Sequence, residues 1–304
     1  MKRRYIVTVV LAMLLAAGCD NDENFVAPSF LHVEGIHLVK PQQGALSTDE
    51  GFYTHDIVAA YVAAHRVGAA SEDTIGLFRM PFTVPVLFDG VYDYVKLYPA
   101  VMQSGKVNAL PFYTYYNPIR IDSVALTSGD TLDLGTLTTT HESHARALMH
   151  EPFEPNEGSL LFDSVLTWVP MDPDGACTGY GYGLVHVDDT MRNGVRFSVD
   201  RTFTVNDPSL LLYLELDIKS DVEMGVYMVS SRLEGTNLDT RSVMNVYPDN
   251  TQWKHMYINL GRTWSYFNHN KNFRLLFHAL PGADGKGGDL RIDNVRVVTT
   301  PVTQ

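Results

Sequence analysis

Six aromatic residues sit in loop-like surroundings beside groups that could bind a sugar. Trp168, Tyr180 and Tyr182 form one set, the two tyrosines standing in "TGYGYG". Trp264, Tyr266 and Phe267 form the other, in "RTWSYFNHN", among Arg262, Asn268, His269 and Asn270. The CH groups of a pyranose stack on an exposed ring, and planar polar side chains fix its hydroxyls. Glycine spacing would let Tyr180 and Tyr182 project from a loop. Packing at the core or its edge is the competing role for every one of these rings, and the commoner one. Trp253 opens the periodic segment "WKHMYINL" and is assigned to packing.

Other chemistry-bearing types are less organised. His141, His144 and His150 lie in the polar stretch 138–157, and His-x-x-His on a helix would put two imidazoles on one face. A zinc site also needs a third ligand and supporting hydrogen bonds, which the sequence does not display. These histidines are therefore read as solvated linker residues. Cys177 in "DGACTGYG" has no histidine-bearing motif beside it and is read as a buried or inert thiol. The chain has no Gly-x-Ser-x-Gly, His-Glu-x-x-His or phosphate loop. Carboxylate pairs for glycoside hydrolysis could be picked from so acidic a chain, but none stands out. No catalytic residue is assigned, and a glycan-acting hydrolase is the outside alternative.

The 304 residues carry a formal charge of −12, and 45% of them are hydrophobic. An acidic protein is a poor partner for nucleic acid or for direct adhesion to anionic lipid. The N-terminus reads as an address. Lys2, Arg3 and Arg4 precede the apolar run Tyr5 to Ala17, which is too short for a stable membrane span, and Ala16-Ala17-Gly18 leads into Cys19. This segment resembles the lipobox of bacterial lipoproteins, with Ala16 where leucine usually stands. The resemblance implies cleavage before Cys19, a diacylglycerol on its thiol and a further, palmitate-like acyl chain on the freed α-amine. Several acyl chains anchor stably where one is marginal. The acidic run Asp20-Asn21-Asp22-Glu23-Asn24 reads as a solvated tether, and it is similar to export signals of Gram-negative surface lipoproteins. The expected location is the outer membrane, facing outward, with a periplasmic face as the alternative. With Cys19 acylated, Cys177 has no disulfide partner.

The remaining elements are short strands. Asp89-Gly90 signals a hairpin, and Val91, Asp93, Val95 and Leu97 alternate with Tyr92, Tyr94, Lys96 and Tyr98. Pro81 and Pro85 argue for edge strands or a loop crossing between sheets. "IRIDSVALTSGDTLDLGTL" adds two strands. "LLYLELDIKS" is the cleanest of all: Leu212, Leu214, Leu216 and Ile218 face one way, and Tyr213, Glu215, Asp217 and Lys219 the other. "NFRLLFHAL" and "GGDLRIDNVRVV" complete an all-β pattern with no amphipathic helix of any length.

Asp56-Ile57-Val58-Ala59-Ala60-Tyr61-Val62, Ile75-Gly76-Leu77-Phe78, Pro81 to Gly90 and Tyr98-Pro99-Ala100 resemble the small β-sandwich modules of surface lipoproteins. That implies an immunoglobulin-like or transthyretin-like sandwich acting as a spacer. "QWKHMYINLG", "FRLLFHAL" and "GGDLRIDNVRVV" resemble the last strands of galactose-binding-like, carbohydrate-binding jelly rolls. That superfamily serves sugar binding, adhesion and purely structural roles. The resemblance also implies a structural calcium ion, held by carboxylates of the first and last strands. Glu151, Glu154 and Asp293 occupy those ends, and backbone carbonyls would have to complete the six to eight oxygens. The expected organisation is a signal peptide over 1–18, an acidic tether over 19–29, an immunoglobulin-like sandwich over 30–140, a linker over 141–157 and a jelly roll over 158–300. The expected function is non-catalytic binding of a glycan or glycosylated partner through the jelly roll. The alternative is an assembly subunit of a surface complex that meets a protein partner and takes no small ligand.

Overall fold

The computed structural model describes residues 27–42, 46, 53–155, 165–199, 201–207, 210–231, 238–267, 272–282 and 284–300. Cys19, the leader, most of the tether and Asn268 lie outside these residues. The fold is all-β; among the described residues there is one helix, the four-residue α1 (Gly261–Trp264). Among the described residues no helix is long and apolar enough to cross a membrane.

The first unit has nine strands: β1 (Ser29–Val33), β2 (Gly35–Leu38), β3 (Ile57–Arg66), β4 (Asp73–Arg79), β5 (Phe82–Val86), β6 (Gly90–Val101), β7 (Ile119–Leu126), β8 (Thr131–Asp133) and β9 (Thr136–Thr139). A four-stranded sheet in the order β4-β3-β6-β7 packs on β5-β1-β8, and the parallel pair β2-β9 extends the second layer. Alternate residues such as Val62, Ala64, Val95 and Leu97 are buried between the layers with Leu31, Val33 and Val84. Pro85 lies in β5, which pairs only with β1, so the missing N–H falls on an edge strand.

The second unit has eleven strands: β10 (Arg146–Glu151), β11 (Thr167–Val169), β12 (Tyr182–Val187), β13 (Val195–Phe197), β14 (Thr202–Thr204), β15 (Leu211–Ser220), β16 (Glu223–Ser231), β17 (Leu238–Val246), β18 (Asp249–Asn259), β19 (Asn272–Leu280) and β20 (Gly288–Thr300). They form a jelly-roll sandwich. One sheet runs β11-β12-β20-β15-β18 with β10 also on β20, and the other runs β13-β19-β16-β17 with β14 also on β19. Leu212, Leu214, Leu216, Ile258, Phe273, Leu275, Phe277 and Val297 fill the space between them. Burial of these side chains from both sheets is the principal stabilising term, at about 25 cal/mol per Å² of apolar surface.

One expectation changes. The stretch 141–157 contains β10, which pairs antiparallel with β20, so it belongs to the jelly roll's sheet. His141 is buried against Tyr116, with ring centroids 5.3 Å apart, and burial lowers its pKa to about 3. It is no solvated linker residue; His144, by contrast, is exposed.

A further finding concerns β15. Its polar side, Tyr213, Glu215 and Asp217, is buried, although the alternation also fits an open face. The first unit covers it. Tyr113, Tyr115 and Tyr116 lie on this face, Tyr113 edge-on to Tyr213 and Tyr257 at 5.1 and 4.8 Å. The Tyr113 hydroxyl donates to Glu215, and that of Tyr115 to the Leu211 carbonyl at 2.8 Å. Glu215 also accepts from Arg296, and both side chains are fully buried. His255 donates to Asp217 across 2.8 Å. A β-bulge between Glu215 and Asp217 sets Asn294, at φ 49°, beneath the second of these, and Asn294 Nδ2 donates to Asp217 at 2.8 Å. Asparagine is among the few residues that accept this left-handed conformation readily. Buried carboxylates are tolerable here because cations and donors meet them on all sides.

Candidate functional site

A cleft of about 500 Å³ opens where the two units meet at one edge of the jelly roll. Its position follows from topology. β17 is the free edge of one sheet and β18 the free edge of the other, and the Tyr247-Pro248 turn carries the chain between them. The first unit closes the remaining side with His55, Asp56 and the segment 102–105. That segment is stitched to β18: Gln103 bridges Tyr257 in parallel, and Ser104 N donates to the Tyr257 carbonyl at 2.7 Å. Asp56 N donates to the Tyr257 hydroxyl at 3.1 Å, and that hydroxyl shares a 2.9 Å hydrogen bond with Tyr116. The same residues that glue the units together therefore set the wall of the cleft.

Alternation along β18 puts Trp253, His255 and Tyr257 on one face. Tyr257 and His255 are sealed under the first unit, whereas Trp253 is half-buried at the margin. Trp253 borders the cleft and also a neighbouring depression of about 260 Å³ lined by Tyr53, Thr54, His55, Cys177, Asp217 and His255. Its ring stands edge-on to Tyr182, 6.4 Å away. Tyr247, 73% exposed, stands at the rim. Asn245, Gln252, Lys254 and Asp249 supply polar groups around the opening. The site therefore pairs two aromatic rings with amide, ammonium and carboxylate groups.

The electrostatics are mixed. Burial raises the Asp56 carboxyl above its ordinary pKa against the pull of His255 and Lys254. The Lys254 ammonium, helped by Thr251, holds the Asp249 carboxyl well below the carboxylate range. Burial lowers the His55 pKa to about 4, with His37 adding to it, so its imidazole is neutral near pH 7. In the smaller depression, burial and then Asp217 and Asp293 push the Cys177 thiol up, so it stays protonated and is no activated nucleophile.

The residues singled out from sequence are scattered. Trp264 is buried edge-on to Phe273 at 5.2 Å, and Phe267 also packs on Phe273, so neither offers a ring face to a sugar. Tyr182 is buried and bonds Asp172 through its hydroxyl at 3.1 Å. Trp168 is half-buried, its Nε1 donating to the Phe153 carbonyl at 2.8 Å. Trp264 and Phe267 belong to the jelly-roll core cluster and Trp168 packs against it, so these rings serve packing. Tyr180 and Tyr266 are 54% and 60% exposed, and Arg262 is exposed too, but none of the three lines the cleft. Of the carboxylates expected to hold calcium, Glu151 is buried against Arg201 at 2.8 Å, and Glu154 accepts from Tyr180 N at 2.9 Å. Asp293 accepts from Cys177 N and Thr178 N at 3.1 and 3.2 Å. Among the described residues no group of three or more His, Cys, Asp or Glu is arranged to hold a metal ion. Trp253 and Tyr247 are the functional candidates that sequence reasoning passed over. The signal for Trp253 lay in its spacing, two residues from His255 and four from Tyr257 on the polar face.

No family model matches the chain, and no curated protein is significantly similar to it. Solved structures are similar at low identity. The family 11 carbohydrate-binding module from Clostridium thermocellum, in complex with a β-1,3-1,4-mixed-linked tetrasaccharide, is 16% identical with a TM-score of 0.33, covering 50% of this chain and 96% of its own. The CBM22-1 xylan-binding domain from Paenibacillus barcinonensis Xyn10C is 11% identical with a TM-score of 0.35, covering 52% and 97%. The CBM22-1–GH10 modules of a Clostridium thermocellum xylanase, complexed with xylohexaose, are 10% identical with a TM-score of 0.35, and only 28% of that chain is covered.

Proposed function

We propose that this chain is a non-catalytic, lipid-anchored cell-envelope protein that binds a glycan in the cleft between its two sandwiches. One observation carries the reading. The half-buried Trp253 and the exposed Tyr247 stand over a cleft of about 500 Å³ ringed by amide, ammonium and carboxylate side chains. Ligand sites typically have a volume of this order. The anchor rests on the leader and Cys19, and the outward-facing outer-membrane location on the acidic run that follows. Those carboxylates also hold the folded part away from an anionic surface.

A glycan-array screen of the purified protein tests the binding. Hits that weaken at least tenfold in Trp253→Ala support it, whereas an array flat for the wild type turns the assignment to an assembly subunit without a small ligand. Mass spectrometry of the mature N-terminus tests the anchor: a diacylated or triacylated Cys19 is expected, and an unmodified thiol or an uncleaved leader overturns it.

A further inference from the structure

The polar rim is only half of the cleft. Below it the walls are Met102, Met244, Met256, Val246 and Ile218. They come from three directions. Met102 belongs to the first unit; the Gln103–Tyr257 bridge is parallel, so Met102 stands beside Met256 in register. Met244 lies on β17, in the opposite sheet. Met244 and Met256 pack against the jelly-roll core while still reaching the cleft, and Ile218 and Val246 are buried residues of that core. Met256 also touches the 102–105 segment, since a Cβ at Gly105 would come 3.3 Å from its Cε.

This is what an open sandwich edge produces. Sheets pack about 10 Å apart, and here no strand among the described residues closes the gap between β17 and β18. The interior therefore continues sideways into a slot. Methionine is unbranched and polarisable, and it adapts to irregular apolar guests. A bare oligosaccharide would present hydroxyls to this floor and leave them without partners.

Building on the glycan reading, we propose that the cleft recognises a sugar carrying an apolar substituent, its polar part held at the rim by Trp253 and Tyr247 and its alkyl or aryl group seated between Met102, Met244 and Met256. Affinity then grows with the apolar surface buried in the slot, by about two- to fourfold per methylene until the slot is full.

The test titrates the full protein with methyl, butyl, hexyl and octyl β-glucosides and β-galactosides below their micellar concentrations, and with the phenyl glycosides. Stepwise tightening along either alkyl series, or a gain of at least tenfold for phenyl over methyl, supports the slot and tells the two kinds of substituent apart. Met102→Gln and Met244→Gln should abolish that gain while leaving methyl-glycoside binding within about threefold; Met244 packs against the jelly-roll core whereas Met102 packs in neither core cluster, so the Met102 variant folds even where Met244→Gln does not, and melting curves identify which is folded. Equal affinity for every chain length overturns the slot. Array hits combined with equal affinities sink the slot and spare the glycan reading. A flat array with chain-length dependence retained sinks the glycan reading and spares the slot.

Discussion

Trp253 and Trp264 belong to the same sandwich and face opposite fates: one ring borders the cleft, the other is edge-on to Phe273 inside the core. Their substitutions should separate cleanly. Trp253→Ala is expected to weaken glycan affinity about 30-fold with little change in melting temperature, as for a buried aromatic anchor. Trp264→Ala is expected to cost about 3–5 kcal/mol of stability and leave the affinity of the folded fraction unchanged. Isothermal titration beside denaturant unfolding reads both. Asp293 gives a pH test. Burial raises its pKa to about 8, so the folded chain holds a proton that the unfolded chain releases near pH 4. Between those values the native state binds more protons, and its stability falls as pH rises. Asp293→Asn should remove that slope, so the variant gains on the wild type by up to about 1.4 kcal/mol per pH unit between about pH 4 and 8. A gap that does not change with pH would refute the assignment. At this scale the sequence was least legible: "TGYGYG" and "RTWSYFNHN" show aromatics near glycines and amides, and only tertiary packing separates Tyr266, which is exposed, from Phe267, which is not.

Elements were read far better. The alternation in "LLYLELDIKS" assigned Leu212, Leu214 and Leu216 to the core face, where they lie. What period-two patterning cannot encode is the occupant of the other face. Glu215 and Asp217 are the residues an open face would carry, yet both are buried because Arg296, His255 and Asn294 meet them from β20 and β18. Those partners are distant in sequence, so no local window reports the pairing. The stretch 141–157 was obscured for a related reason. β10 is six residues long and polar in part, and it is held by pairing with β20 rather than by its own propensity. The pair Glu215–Arg296 yields a sharp expectation. Arg296→Met alone leaves a buried carboxylate short of its cation and should cost about 3–5 kcal/mol, whereas Arg296→Met with Glu215→Leu should recover most of that loss. Urea unfolding of the two variants decides it, and equal destabilisation of both would show that the pair is not a closed unit.

On the scale of the whole molecule, one apolar cluster runs across the junction. Tyr213, Tyr257 and Val298 of the jelly roll are buried with Tyr113, Tyr115 and Tyr116 of the first sandwich. Two domains joined by a solvated linker would unfold separately. This junction predicts one cooperative thermal transition for both sandwiches, with calorimetric and van't Hoff enthalpies equal. Residues 141–304 expressed alone should expose the buried face of β15, associate or melt at a lower temperature, and lose ligand binding, because His55, Asp56 and Met102 are missing from the cleft. Two resolved transitions, or full binding by the fragment, would refute this. The existence of two sandwiches was legible from the density of short strands and turns. Their union was not, because it depends on tyrosine hydroxyls in one half meeting carboxylates in the other.

The tyrosine-lined seam has a consequence for inheritance. Beads on a string can be traded between genes, because each bead brings its own finished surface. Here neither half is finished: one supplies phenols that have no use in water, and the other supplies acids that need them. A recombination event replacing only the leading half would strand Glu215 and Asp217 without their lid, so these two halves are expected to travel through evolution as a single heritable piece.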